Sequence, residues 1–107
     1  MRTLKFIVEG QVLKPDPNCD FSGLVPGSEK YLRAKFDCSS EWNNCVKVAG
    51  FWSRLGNEYP PQVLTDNACD IPADALGSKY FKIQLIGKRK DGFKLQTNKL
   101  EICQNGG

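Results

Sequence analysis

The side chains able to do chemistry in this chain are defined first by an omission: its 107 residues contain no histidine. That removes the commonest general base, the usual partner of a serine or cysteine nucleophile, and a ligand of most mixed zinc sites. The five cysteines, Cys19, Cys38, Cys45, Cys69 and Cys103, form an odd set without a CxxC pair. Neither a disulfide framework nor a four-thiolate zinc site is therefore the expected use. The expectation is that each behaves as a small buried apolar residue, with a Cys38–Cys45 bridge as the alternative under oxidising conditions. Cys19 and Cys103 are the candidate reactive thiols, yet no histidine stands by to lower their pKa. Asp16, Asp20, Asp66, Asp70, Asp74 and Asp91 all sit beside turn residues, where Asx-turns and caps account for them without catalysis. The segment DPNCD resembles a calcium loop only loosely, lacking the glycine and terminal glutamate that complete one. The expectation is a protein that is not an enzyme, with no catalytic, cofactor-binding or metal-binding residues and no cofactor.

Two surface clusters remain. Lys88-Arg89-Lys90 sits at a turn with Lys82, Lys94 and Lys99 nearby, and Tyr80 and Phe93 offer rings for stacking. A solvated turn that keeps strand edges soluble is the expected reading, with nucleic-acid binding as a rival. In GFWSRLGNEYPP, rigid and aromatic side chains gather around one loop. Trp52, Arg54 and Tyr59 are the candidate partner-binding residues, because Trp, Tyr and Arg anchor interfaces. Against this stands a core role for Phe51 or Trp52, with the other capping a sheet edge; the sequence leaves both readings open.

These residues must be positioned by strands. In YLRAKF, Leu32, Ala34 and Phe36 alternate with Arg33, Lys35 and Asp37, the period of a half-buried strand. CVKVAGFW follows across the corner Ser39–Asn44, where Trp42 is expected to fold back over the core like a lid. Leu4, Phe6 and Val8 mark a first strand, bent or broken at Gly10. The stretch KPDPNCDFSGLVPGSE reads as a loop pinned by Phe21, Leu24 and Val25. RLGNEYPP reads as a hairpin loop with Gly56-Asn57 at its tip, and Thr65-Asp66-Asn67 turns a small hairpin. Pro72 at a first helical position and Gly77 after Leu76 mark a single helical turn near 72–76. Phe81, Ile83 and Leu85 are answered by Phe93, Leu95 and Thr97 across Lys90-Asp91-Gly92. A last strand over 99–103 precedes QNGG, read as a frayed tail.

The expected fold is all-β: an Ig-like antiparallel β-sandwich of about seven short strands, favoured over a closed barrel, in one domain over 1–107. A 40% hydrophobic and 25% charged composition suits a globular chain. The net charge of +3 is too balanced to point to nucleic acid or an anionic membrane. The first residues lack a cleavage site and read as a strand, not a signal peptide. No stretch approaches the ~18 apolar residues of a membrane span, and synthesis in a reducing cytoplasm is expected.

The ordered series PGSEKYLRAKF, EWNNCVKVAGFW, YPPQVLTDNACDIPADAL, KYFKIQLIGK and LQTNKLEI resembles a family of small β-sandwich proteins of bacteriophages and prophages of Gram-positive gut bacteria. The similar features are the YLxAxF strand, the tryptophan corner, the I-P-x-x-x-L turn and the closing T-N-K. The resemblance spans nearly the whole chain and carries structural motifs, with no catalytic residues to transfer. It implies a virion component, related to N-terminal domains of tail or baseplate proteins, that docks on phage capsid, tail or baseplate subunits. A homo-oligomer on the particle is compatible with that role. The ending at QNGG favours a short accessory, such as a capsid decoration or baseplate adaptor, over a receptor-binding fibre. The alternative is a small intracellular phage inhibitor of a host defence system.

Overall fold

The computed structural model describes residues 1–104. Its strands are β1 (Arg2–Glu9), β2 (Val12–Pro15), β3 (Leu32–Cys38), β4 (Val46–Ser53), β5 (Glu58–Val63), β6 (Ala68–Asp70), β7 (Tyr80–Lys88), β8 (Lys94–Gln96) and β9 (Leu100–Cys103). Among the described residues the one α-helical turn, α1, is Ala73–Leu76, between Pro72 and Gly77 as expected, except that Pro72 is its N-cap with extended ψ and not its first helical residue. One sheet has the order β2-β1-β3-β6; in the other, β5-β4-β7 continues into β8 and β9, which share the far edge of β7. Both inner faces feed one hydrophobic cluster that includes Phe6, Phe36, Phe51, Phe81 and Leu85. The arrangement is all-β and sandwich-like.

The strands form where alternation predicts them, since every second residue buries an apolar group. Along β7, Phe81, Ile83 and Leu85 are fully buried while Lys82, Gln84 and Ile86 face outward. The break at Gly10 resolves into two strands: Gly10, at φ +57°, opens the two-residue turn between β1 and β2.

Several expectations are corrected. Described strands number nine, not about seven. The sandwich is not wholly antiparallel, because β1 runs parallel to β3 from Arg2↔Leu32 to Val8↔Cys38. The 16-residue connection from 16 to 31 is long enough to carry the chain back for this crossover. Leu24 pins that loop, Phe21 packs edge-on against Phe6 at 5.5 Å, and the Arg2 guanidinium donates to the Asp20 and Ser22 carbonyls. Val25 is exposed and takes no part.

Tyr59, Pro60 and Pro61 belong to strand β5, not to a loop. Prolines are tolerated there because β5 is an edge. The register with β4 shifts between Ala49 and Phe51, setting Gly50 against both prolines in a bulge. The Asp66-Asn67 turn is tight, with both residues at positive φ and Thr65 bridging Ala68, but its arms lead into different sheets. Gln104 is fully buried, and its side-chain amide donates to the Leu76 and Ser78 carbonyls. Gln104 is therefore no part of a frayed tail, and the rest of that expected tail, 105–107, lies outside the described residues.

Trp42 does fold over the core. It is fully buried in a 3-10 turn, Ser40–Trp42, and its indole N–H donates to the Gly10 carbonyl at 2.8 Å. Between β2 and the β8–β9 connection, Asn98 bonds both backbone groups of Leu13 through its side chain, tying one side of the two sheets together.

Candidate functional site

The two outer faces differ in chemistry. On the four-stranded sheet the outward residues are largely charged, with Arg33–Asp70 and Lys14–Glu9 ion pairs at 3.4 and 3.2 Å. Such a face is at home in water. On the five-stranded sheet the outward residues of β4 are Val46, Val48, Gly50 and Trp52. Val48 pairs with both Ile86 and Val63, so these three aliphatic side chains share the outer face with Val46. Val46 and Val63 are 64% and 65% exposed, a contiguous apolar stripe of the kind that marks interaction surfaces.

At one end of the stripe a groove of about 360 Å³ is lined by Val46, Val48, Ile86, Lys88, Arg89 and Lys90. Its cations come from the turn that closes β7 onto β8, which is held by the Arg89 N–H on the Phe93 carbonyl and by Asp91, whose carboxylate accepts from the Phe93 N–H. The Arg89 guanidinium lies 3.8 Å above the Phe93 ring, and its Nε is shut off from water without an acceptor.

At the other end stands Trp52. Its six-membered ring lies across Gly50, where a Cβ would come within 2.4 Å of Cη2, and Lys99 Nζ sits 4.2 Å from the ring centroid. Only a residue without a side chain at 50 lets the indole lie flat on the sheet. Arg54 shares this end: its Nε is 3.0 Å from Glu101 Oε1 and its Cζ 3.8 Å above the Tyr80 ring. Tyr59 does not join them. It pairs with Phe51 and faces the opposite side of the sheet, packed on the core with its hydroxyl 3.1 Å from Ser78 Oγ. Of the three sequence-derived partner residues, two share a face and the third fastens the β5 edge.

The remaining chemistry is absorbed by structure. All five cysteines are free; Cys69 is buried, while Cys103 is exposed, against the expectation that each would be buried. Burial pushes the Cys38 thiol up to about 11 and the Cys69 thiol up to about 12, the opposite of what a nucleophile requires. Asp16 and Asp20 accept from the backbone N–H groups of Asn18 and Ser22 in Asx-turns. Hydrogen bonding by the Ser22 side chain, then its backbone, holds the Asp20 carboxyl below the usual range. Among the described residues no group of three or more acidic or cysteine side chains gathers to hold a metal, and no helix is long and apolar enough to cross a membrane.

Sequence reasoning missed the valine-isoleucine stripe. Its signal was present in VKVAGFW, which carries apolar residues on both faces, whereas a strand with one solvated face alternates cleanly. Comparison with protein-family models, curated proteins and solved structures finds no match to this chain.

Proposed function

We propose that this chain is a non-enzymatic structural protein of a bacteriophage particle, a capsid decoration or a tail or baseplate accessory. On this reading it docks on a larger assembly through the outer face of its five-stranded sheet. The observation that carries the docking half is the exposed aliphatic stripe: the outer face of the four-stranded sheet is largely charged, whereas the other, beside its Arg54–Glu101 pair, bears exposed Val46, Val63 and their aliphatic neighbours. The phage half rests on the sequence resemblance.

An Ig-like sandwich serves such a role as a stiff frame that presents a sheet face. Trp52 and Arg54 belong to the docking face, where their contacts with Lys99 and Glu101 hold them in place before any partner arrives. Pre-ordering of this kind limits the entropy lost on docking. Copies arranged by the symmetry of a particle gain avidity from weak individual contacts. Neither a cofactor nor a membrane enters the reading, and the partner is a capsid, tail or baseplate protein.

The test is co-sedimentation with intact phage particles after a high-salt wash, read by mass spectrometry. Retention in stoichiometric amounts supports a virion role, and complete absence from washed particles overturns it.

A further inference from the structure

We infer that the groove between Val46, Val48 and Ile86 receives an acidic peptide segment of the docking partner, with one aliphatic or aromatic side chain inserted as an anchor. This rests on the docking reading above and names the chemistry that the surface recognises.

Three features of the groove converge on an anionic occupant. Lys88 and Lys94 stand directly opposite each other across β7 and β8 on the outer face. Like charges so placed repel across the sheet. The ion pairs among the described residues are Lys14–Glu9, Arg33–Asp70 and Arg54–Glu101, so Lys88, Arg89, Lys90 and Lys94 have no carboxylate partner. Nearby Asp91 is engaged with the backbone of its own turn. Finally, Arg89 is clamped on Phe93 with its Nε buried and lacking an acceptor. A carboxylate arriving at this rim would relieve the lysine repulsion and meet a guanidinium charge already held in place over Phe93. The floor adds a different requirement. It is aliphatic, and only an apolar group displaces water from it favourably.

Other occupants fit less well. A second copy laid face to face with its two-fold axis through the groove would set the Lys88–Lys94 pair against its own image. Nucleic acid would meet valine and isoleucine in place of stacking rings, Phe93 being covered by Arg89. Strand addition at the β5 edge is opposed by Pro60 and Pro61, which offer no N–H. Recognition therefore runs through side chains on the sheet face.

The test is NMR titration of the whole chain with short acetylated peptides of glutamates around a central leucine, phenylalanine or tryptophan. An all-glutamate peptide, a DNA oligonucleotide and phosphatidylserine vesicles run in parallel. The expected result is shifts confined to the Val46, Val48 and Ile86 methyls and the amides of 88–94 with at least one anchored peptide. Val46→Asp weakens that binding about tenfold or more, while Val12→Asp on the opposite sheet leaves it unchanged. The inference is overturned if no anchored peptide shifts these signals. It is equally overturned if the all-glutamate peptide, DNA or vesicles bind as tightly. Retention of Val46→Asp on washed particles overturns the groove and leaves docking intact, whereas loss of the wild-type chain from particles overturns the docking reading alone.

Discussion

Replacing Gly87 by alanine places a methyl group against the one large side chain that closes the core. A Cβ there lies 2.9 Å from both Cε3 and Cζ3 of Trp42 and 3.2 Å from Cys45 Cβ, well inside ordinary van der Waals contact. Trp42 has little room to give: it is fully buried, and its N–H is fixed on the Gly10 carbonyl. Overpacking of this kind costs about 1–3 kcal/mol, and the lower backbone entropy of alanine in the unfolded chain returns about 0.5–1. The net expectation for Gly87→Ala is a loss of about 1–2 kcal/mol, or a fall in Tm on the order of 4–15 °C for a domain of this size. Trp42→Phe alone loses the hydrogen bond and leaves a void, costing about 2–3 kcal/mol. In the double variant the smaller ring vacates the space that the new methyl needs, so the two losses combine to roughly 1 kcal/mol less than their sum. Urea unfolding followed by far-UV circular dichroism, with unchanged m-values, supplies the four free energies. A Gly87→Ala chain as stable as wild type, or additivity within about 0.3–0.5 kcal/mol, would refute the claim that Gly87 exists to admit the indole.

Gly50→Ala should lift the Trp52 indole off the sheet, since the added Cβ falls 2.4 Å from Cη2 and the half-exposed ring can swing away. In a Trp42→Phe background, where Trp52 is the sole emitter, the fluorescence moves to longer wavelength; an unchanged spectrum contradicts the flat placement. Gln104→Ala removes the two side-chain donations to the Leu76 and Ser78 carbonyls and lowers stability by about 1–3 kcal/mol, whereas a true frayed tail would show no loss in urea unfolding. The raised thiol pKa values of Cys38 and Cys69 make a stabilising contribution that is complete below pH 9 and lost as pH rises through about 11 to 12. Measured Tm should fall less steeply over that range in Cys38→Ala and Cys69→Ala chains than in wild type, and equal slopes would refute the assignment.

The parts of this protein legible in its sequence are those set by neighbours along the chain. Alternation placed β1, β3 and β7, because a strand's two faces are written in successive residues. Pro72 and Gly77 bracketed α1 because a helical turn's ends are chemically marked. The corner tryptophan was identifiable as core, since its surface is too apolar to remain in water. The missing histidine, too, is a property of composition alone.

Tertiary structure decided which strand lies beside which, and that fixed everything about the candidate site. The parallel β1–β3 pair and the shared edge of β8 and β9 depend on contacts between distant residues, for which local alternation carries no information. Tyr59 reads like Trp52 in sequence, yet the register with Phe51 turns it inward while Trp52 faces out. Val46, Val48, Val63 and Ile86 come from three strands and become one stripe only when β5, β4 and β7 pair. Lys88 and Lys94 likewise become a repelling pair only across the closed hairpin, because a cross-strand neighbour is chosen by register and not by spacing along the chain.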